Sequence, residues 1–410
     1  MLQQQIITNF FLDNTVTVGV ALKNKALKKE ILNALNRADK LTIPEISRVI
    51  NISTPKTTAL LNELLADGLI ADYGKVDSTG GRRAICFGLQ SKACYFIGVD
   101  VKRYYINIGL LNFTKKMVSI QEKITYPLEN TQQSLEALIA IIKKFISDHK
   151  FAKNKIISIG INLSGRVNNI TGYSYSYFHF QEEPLAAIIE KALGIKTYLE
   201  NDSNAMAYGE YQQGVVTNQS NVLFINLDYG TGSGIIINGA VYYGKSGFSG
   251  ELGHIPFYDN NIICGCGKKG CFETEVSGEA LVRLVQEKLA QGATSQLLKK
   301  NRKISEVNLE QIIDAAKHED MLVINLLAEM GDKLGKGLSV LINIFNPELV
   351  ILGGVLAKTG NYIKLPVKSG LNKYSLSLVN NDTEVTVSKL LDKAGVVGAS
   401  LIARNKVVGF

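Results

Sequence analysis

Five cysteines in 410 residues are an odd number, so the chain carries no complete disulfide framework. No stretch reaches the roughly 18 consecutive apolar residues that a membrane-spanning helix requires. Nor does a signal-like apolar segment follow a basic start, so the expected setting is a reducing cytoplasm with no membrane partner. Low-complexity segments and short-period repeats are missing as well. With hydrophobic residues at 46% and charged residues at 20%, the composition excludes a disordered chain and fits a soluble globular protein of two or three domains. Net charge is +8 and unevenly spread: residues 21–90 hold eleven Lys or Arg against seven Asp or Glu. A solvated cationic surface would account for that excess alone, so the pattern of the segment has to decide.

Three of the five cysteines are gathered in GELGHIPFYDNNIICGCGKKGCFE, between Gly250 and Glu273. His254, Cys264, Cys266 and Cys271 fall within eighteen residues there. Gly265, Gly267 and Gly270 let the backbone turn tightly enough to aim several thiolates at one ion. In a reducing compartment such spacing points to a four-coordinate zinc site. With all four positions filled by protein no vacancy remains for activated water, so the zinc is expected to be structural. A buried histidine among small core thiols is the plainer alternative.

The basic N-terminal segment has helical periodicity. Leu27, Ile31, Ala34 and Leu35 predict an amphipathic helix from about Ala26 to Arg37. Thr42 with Glu45 forms a capping box for a second helix, with Ile46, Val49 and Ile50 on its apolar side. After the turn Asn51–Ile52–Ser53, either Ser53 or Thr54 caps a third helix with Pro55 in its first turn and Leu60, Leu61, Leu64 and Leu65 as its buried stripe. Gly68 ends it. Ile70–Tyr73 and Ala84–Leu89 then read as two strands around the loop Gly74–Arg83. The pattern is that of a winged helix-turn-helix. In this motif the N-terminal face of the third helix, here Thr54, Lys56, Thr57 and Thr58, enters the major groove of double-stranded DNA. The wing carries Gly80–Gly81–Arg82–Arg83, where glycines permit close approach and Arg82 and Arg83 suit phosphate contacts or a narrow minor groove. Solvated hairpin-tip charges, or a protein-binding trihelical module, would explain the same residues without DNA.

From Lys92 onward strands and helices alternate. Tyr95–Val101, Tyr105–Leu111 and Ile156–Leu163 read as buried strands, and Leu135–Ser147 as an amphipathic helix. Val222–Leu227 and Gly234–Ile237 flank a glycine turn, and Leu349–Leu352 runs into Gly353–Gly354. The expected fold class is α/β: a winged helix-turn-helix followed by a two-lobed actin-like, hexokinase-like ATPase fold. The expected domains are an N-terminal arm (1–24), the winged module (25–90), a small lobe (91–212 plus 385–410) and a large lobe with the zinc loop (213–384).

Taken in order, the wing pair Arg82–Arg83, Glu200–Asn201–Asp202–Ser203–Asn204–Ala205, Leu227–Asp228–Tyr229–Gly230–Thr231–Gly232–Ser233–Gly234, the cysteine run and the Ala394–Gly398 segment resemble the ROK family of bacterial repressors and sugar kinases. The likeness covers essentially the whole chain and is strongest to the family's NagC/XylR-type repressor branch. The resemblance implies that Ser164 and Gly165 lie on a loop after a strand, that Asn201 and Asp202 meet sugar hydroxyls deep in a cleft, and that Glu251, His254 and Glu273 close the other side. A hexose needs several short polar side chains converging in this way. His254 then serves twice, with one ring nitrogen on zinc and the other toward a hydroxyl. Helix capping is the competing role for Asp202, and surface charge for Glu251 and Glu273.

In the sugar kinases of this family the aspartate matching Asp202 is the general base, which leaves phosphotransfer conceivable. Those kinases, however, resemble one another in an Asp-x-Gly-Gly-Thr phosphate turn. Here the corresponding run is Asp100–Val101–Lys102–Arg103–Tyr104–Tyr105, without glycine, and no enzyme activity is expected. The protein expected is therefore a sugar-responsive transcriptional repressor, a homodimer with a tetramer as the larger assembly. Operator DNA and a sugar or sugar phosphate would be its partners, and zinc its cofactor. Sugar-driven cleft closure would respace the two winged modules. A ROK sugar kinase that also binds DNA is the second reading, and a kinase whose N-terminal module binds protein is the third.

Overall fold

The computed structural model describes residues 2–12, 19–75, 84–298 and 303–409, so the wing-tip pair Arg82–Arg83 lies outside the described residues. The chain divides into two compact units, one of residues 1–161, 177–199 and 399–410 and one of residues 162–176 and 200–398.

The first unit opens with α1 (Leu2–Leu12), which buries Ile7 and Phe11; the Phe11 ring meets Phe113 edge-on at 6.0 Å. Next come α2 (Val20–Ala38), β1 (Lys40–Thr42), α3 (Ile43–Val49), α4 (Thr54–Ala66), β2 (Ile70–Lys75) and β3 (Ile85–Leu89). The arm expected over 1–24 thus contains a helix of its own and the start of α2. Ile31, Leu32 and Leu35 of α2, Ile46 of α3 and Leu60, Leu61 and Leu64 of α4 are buried at the periodic positions. Val49, expected on the apolar side of α3, is exposed at the helix's last residue. The capping box forms: the Thr42 N–H donates to Glu45 at 2.8 Å, and this bond holds the Glu45 carboxyl below its ordinary range. Ser53 takes the cap position of α4 through its backbone, with its carbonyl accepting from Thr57 N–H. Strand β1 is an addition to the expected hairpin, pairing Lys40, Leu41 and Thr42 with Gly88, Phe87 and Cys86 to give a sheet ordered β1-β3-β2.

The chain continues through β4 (Tyr95–Val101), β5 (Tyr105–Asn112), β6 (Met117–Thr125), α5 (Gln132–Asp148), β7 (Ile156–Leu163), β8 (Val167–Asn168), β9 (Tyr173–Ser174), α6 (Leu185–Leu193), β10 (Lys196–Asn201), α7 (Asp202–Gln213), β11 (Val222–Leu227), β12 (Thr231–Ile237), β13 (Ala240–Val241), α8 (Glu273–Val276), α9 (Gly278–Ala290), α10 (Leu309–Lys317), α11 (Met321–Phe345), β14 (Leu349–Gly353), α12 (Asn361–Tyr374), α13 (Ser377–Asp382), β15 (Glu384–Val387) and α14 (Ala394–Val408). One five-stranded sheet runs β10-β7-β4-β5-β6. Every residue of β4 and β7 is buried, as continuous apolar strands covered on both faces should be. Arg404, on the last turns of α14, is also buried in the first unit; its Nε donates to the Phe113 carbonyl at 3.0 Å and a terminal nitrogen to Asn36 Oδ1 at 2.8 Å.

In the second unit the sheet order is β13-β12-β11-β14-β15. β11 and β12 are antiparallel, whereas β14 is parallel to both β11 and β15. Helix α7 lies against β12 so closely that a Cβ on Gly234 would stand 2.5 Å from Ala207 Cβ and 2.6 Å from the Ser203 carbonyl. That packing ties 202–213 to the second unit, so the division falls before Glu200 where the sequence expected the small lobe to run to residue 212.

Candidate functional site

Ser164, Gly165, Asn201, Asp202, Glu251, His254 and Glu273 all belong to the second unit. Gly165 follows β7 at φ +87°, and a Cβ there would collide with the Ser176 side chain, so only glycine lets the loop pass. Asn201 Nδ2 donates to the Gly165 carbonyl at 3.0 Å, locking this loop to the start of α7. The Asn201 Oδ1 caps α7, accepting the N–H groups of Ser203 at 2.9 Å and Asn204 at 3.1 Å. Capping thus falls to Asn201 and leaves Asp202 inside the first turn. Asp202 is buried, with Oδ1 accepting from Ser203 N–H at 2.8 Å and Oδ2 from Asn226 Nδ2 at 3.2 Å.

Two further residues were given no role from the sequence. Asn226 sits in the otherwise apolar strand β11, donates to both Asp202 and Ser203 Oγ, and keeps a buried Oδ1 with no hydrogen-bond partner. An amide in the run Val222–Leu227 was the available signal. Glu200 is buried at the end of β10 and accepts the Tyr243 hydroxyl at 2.9 Å. Burial, reinforced by the Glu200 carboxylate, pushes the Tyr243 hydroxyl well above its ordinary range and keeps it a donor.

The short turn Leu252–His254 and the helix α8 bring a second polar group together. Glu273 Oε1 accepts from Cys264 Sγ at 2.8 Å and lies 3.4 Å from His254 Nδ1, while the other ring nitrogen stands 3.8 Å from Glu251 Oε2. Glu273 also accepts from Thr231 N–H, at 3.4 Å, linking this loop to the glycine hairpin. Burial pushes the Glu251 carboxyl above its ordinary range, with His254 and Arg166 working against it.

His254, Cys264, Cys266 and Cys271 offer four ligand atoms within 4.8 Å of one another. Cys264 Sγ is 3.4 Å from His254 Nδ1, and the Cys266 and Cys271 sulfurs are 3.6 Å apart. Tetrahedral zinc with bonds of about 2.0–2.3 Å requires ligand separations of roughly 3.3–3.8 Å. The donor set fits a metal ion in number and chemistry, and these two pairs stand at the required spacing. Burial raises the Cys264 and Cys271 thiols. For Cys266 burial acts the same way, but the Lys268 backbone and the neighbouring thiols outweigh it and lower that thiol. An ion bound here would fix the His254 ring and the loop 254–271.

In the winged module the expected DNA face divides. Thr54 is exposed and Thr58 partly so. Thr57 is a correction: at 0% exposure its hydroxyl accepts from Ser47 Oγ at 2.8 Å and bonds the Ser53 carbonyl at 3.2 Å, joining α3 to α4 inside the module. Lys56 donates to Asn24 Oδ1 on α2 at 2.8 Å.

The sequence pattern described as ROK family matches residues 96–406, and that described as winged helix-turn-helix DNA-binding matches residues 25–71. The chain belongs to the ROK family. Among ROK relatives, the xylose repressor of Bacillus subtilis (strain 168) is 28% identical over 384 residues, covering 93% of this chain and 94% of its own. The DNA-binding transcriptional dual regulator NagC of Escherichia coli (strain K12) is 28% identical over 390 residues, at 94% and 93% coverage. Among solved structures, a ROK family transcriptional regulator homologous to the E. coli MLC protein superposes with a TM-score of 0.79 at 25% identity, over 93% of this chain and 96% of that one. A ROK family glucokinase from Streptomyces griseus, in complex with glucose and AMPPNP, gives 0.68 at 28% identity over 76% and 99%. The ROK body is thus shared by regulators and kinases. Among the described residues no helix is long and apolar enough to cross a membrane.

Proposed function

We propose that this chain is a sugar-responsive DNA-binding repressor of the cytoplasm, acting as a homodimer on operator DNA. The observation that carries the reading is the joining of a winged helix-turn-helix to a ROK body in one chain. In this reading Ser164, Gly165, Asn201, Asp202, Glu251, His254 and Glu273 form the effector site, and Asn226 and Glu200 hold it in shape. One structural zinc per chain is held by His254, Cys264, Cys266 and Cys271. Thr54, Lys56 and Thr58 face DNA together with the wing pair Arg82–Arg83. A dimer lets two modules meet the two half-sites of an operator.

Phosphotransfer is not part of this reading. Around the turn between β4 and β5, Lys102 Nζ lies 3.6 Å from Asp100 Oδ1, and Asn107 donates to Asp100 Oδ2 at 3.3 Å. The run Asp100–Tyr105 has no glycine to let backbone N–H groups approach a phosphate. The second reading, a ROK sugar kinase that also binds DNA, is favoured by the presence of a buried carboxylate at Asp202, the residue type a general base requires. ATP consumption across a sugar panel separates the two, with turnover in the usual kinase range of about 1–100 per second favouring the second.

Repression by linkage makes a stricter demand. A sugar that releases operator must bind the DNA-free protein more tightly, and the operator must weaken sugar binding by the same factor, typically about 5–150-fold. Effector affinity with and without operator, in the wild type and in Asp202→Ala, tests this. Equal affinity in both conditions would sink the regulatory reading.

A further inference from the structure

Beside these polar groups, in the same unit, stand aromatic rings for which they have no use. Tyr173 and Tyr175, on and just after β9, are stacked at 30° with centroids 6.3 Å apart, and Phe248 meets Tyr175 edge-on at 5.7 Å. Tyr175 is 51% exposed and Phe248 39%. Their backbones are fixed to the site. Tyr175 N–H donates to the carbonyl of Arg166, next to Gly165, at 2.9 Å, and Phe248 stands three residues before Glu251. The ring ledge therefore rises from the two loops that supply Gly165 and Glu251.

A pyranose carries hydroxyls around its rim and C–H groups on its faces. The rim needs polar partners, whereas a face with its slightly positive C–H groups lies well on the negative face of an aromatic ring. The buried carboxylates and amides around α7 suit the rim of one sugar. Exposed rings carried by the same loops suit the face of the next.

We propose that Tyr173, Tyr175 and Phe248 form a second subsite that stacks one further sugar ring, so that the effector class is a disaccharide or longer glycoside. The proposal rests on the sugar-site reading above and extends it. A docked protein fits the ledge poorly. Two half-exposed rings and a partly buried third offer on the order of 300 Å², against about 800 Å² per partner in a stable protein interface.

The test is calorimetric titration of the full chain with D-glucose, N-acetylglucosamine and D-xylose, and with their β-1,4-linked dimers cellobiose, N,N′-diacetylchitobiose and xylobiose. One dimer is expected to bind at least about tenfold more tightly than its monosaccharide, matching about 1.4 kcal/mol from one stacked ring. In Tyr175→Ala/Phe248→Ala that advantage should vanish while the monosaccharide affinity moves less than about twofold. The chain has no tryptophan, so Phe248→Trp gives a single reporter on the ledge that keeps its aromatic character. Its emission should shift with the dimer and stay unchanged with the monosaccharide. A wild type that binds a monosaccharide with no preference for any dimer overturns the second subsite alone. A wild type that binds none of the six sugars overturns the sugar-site reading with it. Loss of self-association in the double variant, seen by light scattering, would make the ledge a contact between copies and also overturn the proposal.

Discussion

Helices α4 and α7 both start from an extended cap residue, Ser53 at φ −65°, ψ 148° and Asn201 at φ −69°, ψ 143°, and both crowd short polar side chains into the first turn. In α7 those side chains are buried and hydrogen-bonded among themselves or to β10 and β11: Asp202, Ser203 and Asn204 are all inside, Asn204 donating to Glu200 and Asn226 donating to Asp202 and Ser203. In α4, Thr54 stays exposed, Thr58 turns its hydroxyl back to the Thr54 carbonyl at 2.9 Å, and Thr57 is swallowed by the module. With α7 meeting the effector and α4 the operator, as proposed above, ligand size accounts for the contrast. A small polyol has to be surrounded, so its partners sit in a concavity with orientations set beforehand. A duplex is met from one side, so few outward side chains suffice and the remaining polar groups serve the fold.

The largest break in this comparison comes from dismantling only the concave side. Cys271 is fully buried and is one of the four clustered donors, so Cys271→Ser should cost the bound metal and loosen the loop that carries Glu251 and His254. Structural zinc contributes on the order of 10 kcal/mol to the folding of small domains, so effector affinity should fall about 100-fold or more. Operator affinity should stay within about twofold, because the winged module has its own core. Elemental analysis of protein purified without chelator, calorimetry with the effector and an operator shift assay measure the three quantities. Protein that holds no zinc yet binds effector normally would remove the metal from the account.

The comparison also separates what the sequence could disclose from what it could not. Capping boxes and buried stripes are local, and the Thr42–Glu45 box and the α4 leucines Leu60, Leu61 and Leu64 stand where the pattern puts them. The cysteine loop was legible for the same reason: its donors are close in sequence and become close in space. Long-range facts were not. Asn226 meets Asp202 across 24 residues, and β1 finds β3 across more than forty, so neither leaves a periodic trace. Thr57 failed differently. A threonine on the polar side of an amphipathic helix reads as exposed unless the hydroxyl at Ser47 is known to lie 2.8 Å away. Gly232 and Gly234 read only as part of a glycine turn; the close approach of Ser203 and Ala207 explains them by packing.

Thr57 gives the middle-sized test. If its hydroxyl serves the module, Thr57→Val should lower stability by about 1 kcal/mol, the usual worth of a buried hydrogen bond, with the Ser47 hydroxyl left without its acceptor. Operator affinity, measured well below the unfolding transition, should be unchanged. A variant of normal denaturation midpoint but weakened operator binding would return Thr57 to the DNA face.

The smallest effect is expected at Lys56, and it decides how open the α4 face is. Its ammonium already donates to Asn24 on α2 at 2.8 Å, a neutral acceptor that a phosphate oxygen would outcompete. If the side chain swings to the backbone of the duplex, Lys56→Ala removes one released counterion and the slope of log affinity against log salt should flatten by about 1, uniformly across sequences. Arg82→Ala/Arg83→Ala should flatten it by up to about 2 on the same scale. Asn24→Ala supplies the control, because freeing Lys56 from its intramolecular partner should leave operator binding as strong or stronger. An unchanged slope in Lys56→Ala, with weakened binding in Asn24→Ala, would make Lys56 a prop between α2 and α4. The readout of α4 would then rest on Thr54 and Thr58 alone, a face even more sparing in its contacts than the crowded first turn of α7.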